Sequence, residues 1–163
     1  MKEVRLVDVA RVLQSKGSLV LTTTPETSIP DVCSKMRMHS VGALVVSRDG
    51  RHVDGMISER DIVVGMARDG EKVFRQTAGQ LMTRSVYTCT PSDSIKRAME
   101  LMTNHRVRHL PVVEDERLVG LISIGDVVKD RLKELELETN VLRDVYLAGH
   151  YANMTGGSGQ PVS

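Results

Sequence analysis

Two short segments of the sequence carry the same pair of polar residues three positions apart, Ser58 with Asp61 and Ser123 with Asp126. An apolar run precedes each serine and a helical pattern follows each aspartate, so both pairs should lie where a strand ends and a helix begins. Free backbone N–H groups and the helix dipole favour anionic oxygens at such a junction, and a serine hydroxyl can donate to a phosphate. The same spacing is also a capping box, worth about 1 kcal/mol to any helix, so a purely structural role stays open.

Three arginines accompany these pairs: Arg60 lies within the first, and Arg106 and Arg108 precede an apolar run in the second half. The chain has 22 Lys and Arg against 21 Asp and Glu, a formal net charge of +1, so a local cluster of positive charge is informative. Guanidinium groups bind phosphate oxygens strongly, although a solvated face or surface ion pairs would explain the same residues. The near-neutral charge and the scarcity of aromatics, with one Phe, three Tyr and no Trp, argue against nucleic-acid binding.

Neither the histidines nor the cysteines predict further chemistry. His105 and His109 stand four apart, but Pro111 argues against a helix there and no carboxylate or Cys completes a set, so we expect no metal. Cys33 and Cys89 are too few for a disulfide framework, which favours a reducing compartment. With no apolar stretch of about 18 residues and no signal-peptide pattern, we expect a cytoplasmic protein without a membrane segment.

The elements that must position these residues occur twice along the chain. Each half reads as strand, helix, strand, strand, helix, at an offset of 65 to 67 residues. The matching segments are Val20–Pro25 with Val86–Pro91, Ile29–Met36 with Ile95–Met102, Ala43–Ser47 with Leu110–Glu114, and Gly55–Asp61 with Gly120–Asp126. The sequence therefore predicts an α/β (α+β) protein of two tandem repeats with pseudo-two-fold symmetry, their sheets packed together around one shared core.

Flanking segments complete the predicted organisation. Leu6, Val9, Ala10 and Leu13 form a helical stripe ahead of the first repeat, and Leu132, Leu135, Leu142 and Tyr146 form another beyond the second. The predicted boundaries are an N-terminal docking helix at 1–17, repeats at 18–68 and 85–132 joined by a connector at 69–84, a C-terminal helix at 133–151 and a disordered tail at 152–163.

The repeated Gly, two apolar residues, Ser, two variable residues and Asp resembles the end of a CBS domain. The second half is similar to that family's pattern from Arg108 to Val113 and again from Leu118 to Asp126, and the resemblance covers residues 18 to 132. More narrowly, Ile57–Asp61 and Met102–Pro111 resemble the small stand-alone bacterial CBS-pair proteins. The first repeat departs from the pattern, with Gly42-Ala43-Leu44 where the second has His109-Leu110-Pro111, so two ligand pockets need not be equivalent.

The resemblance implies a regulatory module that binds an adenine nucleotide between its halves, with AMP as the first choice and NAD(H) as an alternative, and that catalyses nothing. In this resemblance the aspartate accepts hydrogen bonds from both ribose hydroxyls. The Thr-rich strand entries face the adenine edge, and Val41, Val107 and Leu110 form apolar walls. The candidate binding residues are Thr22, Thr24, Val41, Gly42, Ala43, Ser58, Arg60, Asp61, Thr88, Thr90, Arg106, Val107, Arg108, His109, Leu110, Pro111, Ser123, Gly125 and Asp126.

Two other classes of function are weighed against this one. Too little chain remains outside the repeats for a catalytic domain, since a (β/α)₈ barrel alone needs about 250 residues. A ligand-free interaction scaffold, in which the Ser and Asp pairs serve only as helix caps, stays open. In the leading hypothesis the chain forms a homodimer, and a separate effector protein reads nucleotide occupancy in trans.

Overall fold

The computed structural model describes the backbone of residues 8–155 and the side chains of residues 8–148; Leu6 and most of the predicted tail lie outside that range. It falls into two units, residues 1–127 and residues 128–163. The elements in chain order are α1 (Val9–Lys16), β1 (Thr22–Thr23), α2 (Ile29–His39), β2 (Ala43–Val46), β3 (Gly55–Ser58), α3 (Glu59–Asp69), a 3₁₀ turn (Gly70–Arg75), α4 (Ala78–Leu81), α5 (Ile95–His105), β4 (His109–Glu114), β5 (Arg117–Ser123) and α6 (Ile124–Thr155).

The first unit contains the first predicted repeat and the second as far as Val127. In the first, β2 pairs in parallel with β1 and antiparallel with β3. In the second, β4 and β5 form an antiparallel hairpin, and the counterpart of β1 is reduced to a single parallel bridge between Cys89 and Val112. The mixed helix and strand class with two tandem repeats is therefore confirmed.

The strand register corrects one detail of the sequence alignment. Ala43 pairs with Ser58 in the first hairpin, and His109 pairs with Ser123 in the second, so these strands match at an offset of 66 and not 67. The second half is one residue shorter between its two paired strands. The difference falls in the β4–β5 hairpin, whose register shifts between Val112 and Val113. The counterpart of His109 is consequently Ala43, and that of Arg108 is Gly42.

Buried apolar residues form one cluster in each repeat, where a single shared core was predicted. The first cluster combines α2, the inner faces of β2 and β3, Ile62, Ala78 and Met82. The second combines α5, β4 and β5 with α1 and Val127. Because side chains alternate along a strand, Ala43 and Val45 lie on the opposite face of β2, and they are buried too, which accords with the predicted packing of the sheets.

The helices that precede the repeats pack crosswise. α1 comes before the first repeat but docks on the second, where the N–H groups of Val9 and Ala10 donate to Asp93 O and Pro91 O, both at 2.9 Å. α4 comes before the second repeat but docks on the first. There the N–H groups of residues 78 and 79 donate to Thr27 O and Pro25 O, both at 2.8 Å. These matched bonds make α1 and α4 counterparts at an offset of 69, which sequence similarity did not indicate.

The second unit consists of the C-terminal part of α6. This helix begins at Ile124 and ends at Thr155, so the predicted boundary at 132/133 falls inside one continuous helix and the predicted end at Tyr151 is four residues short. Among the described helices, none combines the length and the apolar character needed to cross a membrane.

Candidate functional site

A cavity of about 600 Å³ lies between the two repeats in the first unit. Four chain segments line it: the β3 to α3 junction at 58–61, the chain entering the second repeat at 83 and 85–87, the α5 to β4 loop at 105–109, and the β5 to α6 junction at 123–125. Gly42, Ala43 and Met56 complete the wall. The size falls in the usual range for small-ligand pockets, about 300 to 1,000 Å³.

The Ser58 and Asp61 pair forms a complete capping box at the start of α3. Asp61 Oδ2 accepts from the Ser58 N–H at 2.7 Å and from its hydroxyl at 2.6 Å, and the Asp61 N–H donates back to Ser58 Oγ at 3.4 Å. The other carboxylate oxygen accepts only a longer bond, from the Thr83 hydroxyl at 3.2 Å. The motif therefore does cap the helix, and Asp61 Oδ1 can still accept a hydrogen bond from a ligand hydroxyl.

Three arginines that line the cavity have no anionic partner among the described residues. The side chains of Arg60, Arg106 and Arg108 make no ion pair or hydrogen bond within the part of the chain that the structure describes. Arg106 is the C-cap of α5 in the left-handed conformation, φ 54°, and so begins the loop that leads from α5 to β4. Unpaired positive charge around a concave site favours an anionic ligand.

Aromatic and carboxylate groups share the same cavity. The rings of Tyr87 and His105 stack with centroids 3.7 Å apart and an interplanar angle of 16°. Glu59 lies over Gly42, where an added Cβ would be only 3.3 Å from Glu59 Oε2. Burial and the nearby charge of Arg108 lower the pKa of His109. This imidazole is therefore neutral at neutral pH and adds no positive charge to that of the arginines.

The second Ser and Asp pair forms the same capping box in different surroundings. Asp126 Oδ2 accepts from the Ser123 N–H at 2.8 Å and from its hydroxyl at 2.9 Å. It also accepts from Lys16 Nζ at 2.5 Å, and that ammonium donates in addition to Leu121 O at 2.9 Å. Burial opposes ionisation of Asp126, but the bonds from Lys16 and Ser123 outweigh it and lower the carboxyl pKa. Helix α1 thus supplies an internal counter-ion at the second junction.

The pseudo-symmetry shows how far the two junctions have diverged. Glu59 N donates to Gly42 O at 3.0 Å, and Ile124 N donates to Arg108 O at 2.9 Å, which confirms the pairing of Gly42 with Arg108. The three arginines of the cavity each have an uncharged counterpart, and the counterpart of Lys16 is uncharged as well. These pairs are Arg60 with Gly125, Arg106 with Ser40, Arg108 with Gly42, and Ser85 with Lys16.

Eleven of the nineteen predicted residues line the cavity: Gly42, Ala43, Ser58, Arg60, Asp61, Arg106, Val107, Arg108, His109, Ser123 and Gly125. Eight do not. The strand-entry threonines Thr22, Thr24, Thr88 and Thr90 lie elsewhere, Thr24 and Thr90 with their hydroxyls bonded to Thr27 and Ser92. Leu110 belongs to the second core cluster, Pro111 is buried, Asp126 is bonded to Lys16, and Val41 lines a separate depression with Cys33.

Sequence reasoning missed eight lining residues, which are Met56, Glu59, Thr83, Ser85, Val86, Tyr87, His105 and Ile124. Thr83 to Tyr87 reach the cavity because α4 docks on the first repeat, where Met56 and Thr83 exchange backbone hydrogen bonds of 2.9 and 2.8 Å. Glu59 and Ile124 each follow one of the two predicted serines directly in the sequence, and this adjacency is the signal that could have identified them. Among the described residues, no three His, Cys, Asp or Glu side chains are arranged to hold a metal ion.

Comparison with known proteins gives one consistent result. The model of the CBS domain family matches residues 18–68 and 78–133. A CBS domain-containing protein of Arabidopsis thaliana, CBSX3, is 35% identical over 151 residues, which are 88% of this chain and 73% of that protein.

Two solved structures extend the comparison. The CBS-domain containing protein ATU1752 from Agrobacterium tumefaciens is 40% identical, with a TM-score of 0.74 over 77% of this chain and 99% of that one. The CBS domain protein PAE2072 from Pyrobaculum aerophilum, solved in complex with AMP, is 27% identical, with a TM-score of 0.69 over 82% of this chain and 99% of that one. This chain therefore belongs to the CBS domain family and carries two CBS domains in tandem.

Proposed function

We propose that this regulatory CBS pair binds one adenine nucleotide, AMP in the first place, in the cavity between its repeats. The observation that carries the proposal is that three arginines without an ion-pair partner in the described part of the chain, Arg60, Arg106 and Arg108, line the same cleft as Asp61. A similar protein, PAE2072, is known in complex with AMP, which supports the choice of ligand.

Each part of AMP has a complementary group in this cleft. The arginines suit the phosphate, because charge-assisted bonds to guanidinium groups are among the strongest in proteins. Asp61 Oδ1 suits the ribose hydroxyls, since it accepts only the 3.2 Å bond from Thr83. Val107 and Met56 offer apolar surface to the base, and the stacked rings of Tyr87 and His105 offer a flat aromatic one.

The second junction is proposed to stay without nucleotide. Lys16 already neutralises Asp126, and the counterparts of the cavity arginines are glycine or serine there. A phosphate at that place would meet no arginine in any of the three matching positions, so the balance of charge favours one nucleotide per chain.

Regulation requires that the ligand bind one state of the module better than another. The cleft is built from both repeats, so its occupant contacts both and can bias their packing. We propose that a homodimer of this chain presents that difference to an effector protein in trans. A site of this size can also accept NAD(H), and an empty cleft would make the chain a scaffold, so both alternatives are outcomes of the test.

The test is isothermal titration of the full chain with AMP, followed by ADP, ATP, NAD, NADH and S-adenosylmethionine. We expect one AMP per chain, and we expect the double variant Arg106→Ala/Arg108→Ala to bind at least about tenfold more weakly, since one charged hydrogen bond is worth about 1.5 to 3 kcal/mol. Arg117→Ala is the matched control, because it removes an exposed arginine outside the cavity.

Three results would contradict the proposal in different ways. Preference for NADH over AMP would make the chain an NAD(H)-binding redox sensor instead of an AMP-binding module. Two AMP molecules per chain would refute the closed second junction. No heat from any ligand, together with an unchanged melting temperature, would favour the scaffold.

A further inference from the structure

The second unit exposes an apolar stripe along α6. Val128, Leu132, Leu135 and Leu142 are 47%, 55%, 42% and 70% exposed. With Thr139 between the last two, these residues are spaced four, three, four and three apart, which is the seven-residue repeat of a coiled coil. They occupy the a and d positions, Leu132 and Thr139 at a and the other three at d. Thr139 is the polar member of the stripe, and its hydroxyl donates to Leu135 O of the same helix at 2.9 Å, so it can be buried at an a position without an unsatisfied donor.

The charges beside this stripe identify the partner that fits it. Arg131 and Glu138 occupy the g positions, and Glu136 and Arg143 occupy the e positions. In a parallel coiled coil, each g residue faces the e residue five positions later on the other helix. Against a second copy in register, Arg131 therefore faces Glu136 and Glu138 faces Arg143, so both pairs join opposite charges.

We propose that α6, from Val128 onward, forms a parallel, in-register, two-stranded coiled coil with α6 of a second copy of this chain. The proposal deepens the homodimer of the proposed function by naming its surface, and it does not depend on nucleotide binding. The opposite side of the helix also carries exposed apolar residues, Leu137 and Val141, but they lie outside the a and d positions. That side therefore supplies a matched control.

The first experiment measures the mass of the full chain by light scattering after size exclusion. The wild type is expected near 36 kDa, twice the chain mass of 18.0 kDa. Leu135→Lys/Leu142→Lys should elute as a monomer, whereas Leu137→Lys/Val141→Lys should remain a dimer. Lysine is a good helix former, so neither pair should unwind α6, and helical circular dichroism checks this.

The second experiment tests direction and register. Leu132→Cys and Leu142→Cys, made separately, should each form a disulfide-linked dimer under mild oxidation. An antiparallel pair can bring at most one of these positions next to its own copy, because the two lie ten residues apart. The natural thiols compete little: Cys89 is buried, its pKa raised to about 12 by burial, and burial also raises the pKa of Cys33.

Each outcome separates this inference from the proposed function. A monomeric wild type would overturn the coiled coil and the homodimer together, while AMP titration could still succeed. If the dimer survives Leu135→Lys/Leu142→Lys, or if both lysine pairs dissociate it equally, the interface does not lie on this stripe. The homodimer itself would still stand. Cross-linking at one cysteine but not at the other would refute the parallel register.

Discussion

The two strand-to-helix junctions share a motif, a fold and a capping box, but they differ in what lies beside the aspartate. Asp61 receives a 3.2 Å bond from the neutral Thr83 hydroxyl, next to a cavity with three unpaired arginines. Asp126 receives the Lys16 ammonium at 2.5 Å, and none of the matching arginines is present there. The same four-residue motif is thus compatible with a ligand site in one half and with an internal ion pair in the other.

This difference teaches that a duplicated motif predicts the helix cap better than it predicts the ligand. The cap depends on atoms three residues apart, and both halves keep it. Ligand chemistry depends on the neighbours that tertiary packing supplies, and α1 and α4 supply different ones.

The largest expected difference concerns the two aspartates. Asp61→Asn should weaken AMP binding by about 10- to 100-fold, from the loss of a charged hydrogen bond worth about 1.5 to 3 kcal/mol, while Asp126→Asn should leave the affinity unchanged. Each variant alters the capping carboxylate of its own helix, so each controls for the structural effect of the other. Titration calorimetry measures the affinities. Equal losses in the two variants would mean that both junctions hold nucleotide, as the symmetry of the sequence alone would suggest.

A smaller difference is expected between the matched glycines Gly55 and Gly120. A Cβ at Gly55 would lie 2.8 Å from Thr83 O, a backbone atom, whereas one at Gly120 would meet the terminal methyl groups of Leu13 at 2.6 and 2.8 Å. Overpacking costs about 1 to 3 kcal/mol, and backbone yields less readily than methyl groups, so Gly55→Ala should lower the free energy of unfolding more than Gly120→Ala.

Urea unfolding measures both glycine variants. Gly55→Ala should also weaken AMP binding, because Thr83 begins the segment that carries Tyr87 to the cavity. A larger loss of stability in Gly120→Ala, with AMP binding intact in both variants, would contradict this account of the α4 segment.

The smallest expected effect is the pH dependence of the Lys16 and Asp126 pair. A carboxyl whose pKa is lowered on folding contributes stability above its unfolded value and loses that contribution as the pH falls through the lowered pKa, here below 3.8. Lys16→Met should therefore cost at most about 1 kcal/mol at pH 7, and its deficit against the wild type should shrink as the medium is acidified below that value.

Urea unfolding at several pH values measures this deficit. Lys96→Met is the control, since Lys96 is a more exposed lysine whose ion-pair partner, Glu100, is 4.0 Å away. A deficit that stays constant from neutral to acid pH would show that Lys16 acts through packing of its stem and not through Asp126.

Most of the first unit follows from short-range patterns. The stripe Ile29, Val32, Met36 is buried as its helical spacing predicts, and Ser28 and Ser94 cap the two matched helices. The assignment of Arg106 and Arg108 to the cleft needed only their place in the loop between a helix and a strand. The threonines near the strand entries were assigned from the resemblance alone, and Thr24 and Thr90 instead take part in local turns.

The sequence by itself determined the two repeats, their helices and strands, both capping boxes, and the arginines that face the cleft. These features depend on residues a few positions apart, whose spacing matches the period of a helix or a strand. Tertiary structure alone decided that Tyr87 stacks on His105, that α1 and α4 dock crosswise, and that Lys16 reaches Asp126 across 110 positions of the chain. Contacts between distant residues depend on packing geometry, which has no periodic signature in the sequence, and here that geometry gives the two junctions their different chemistry.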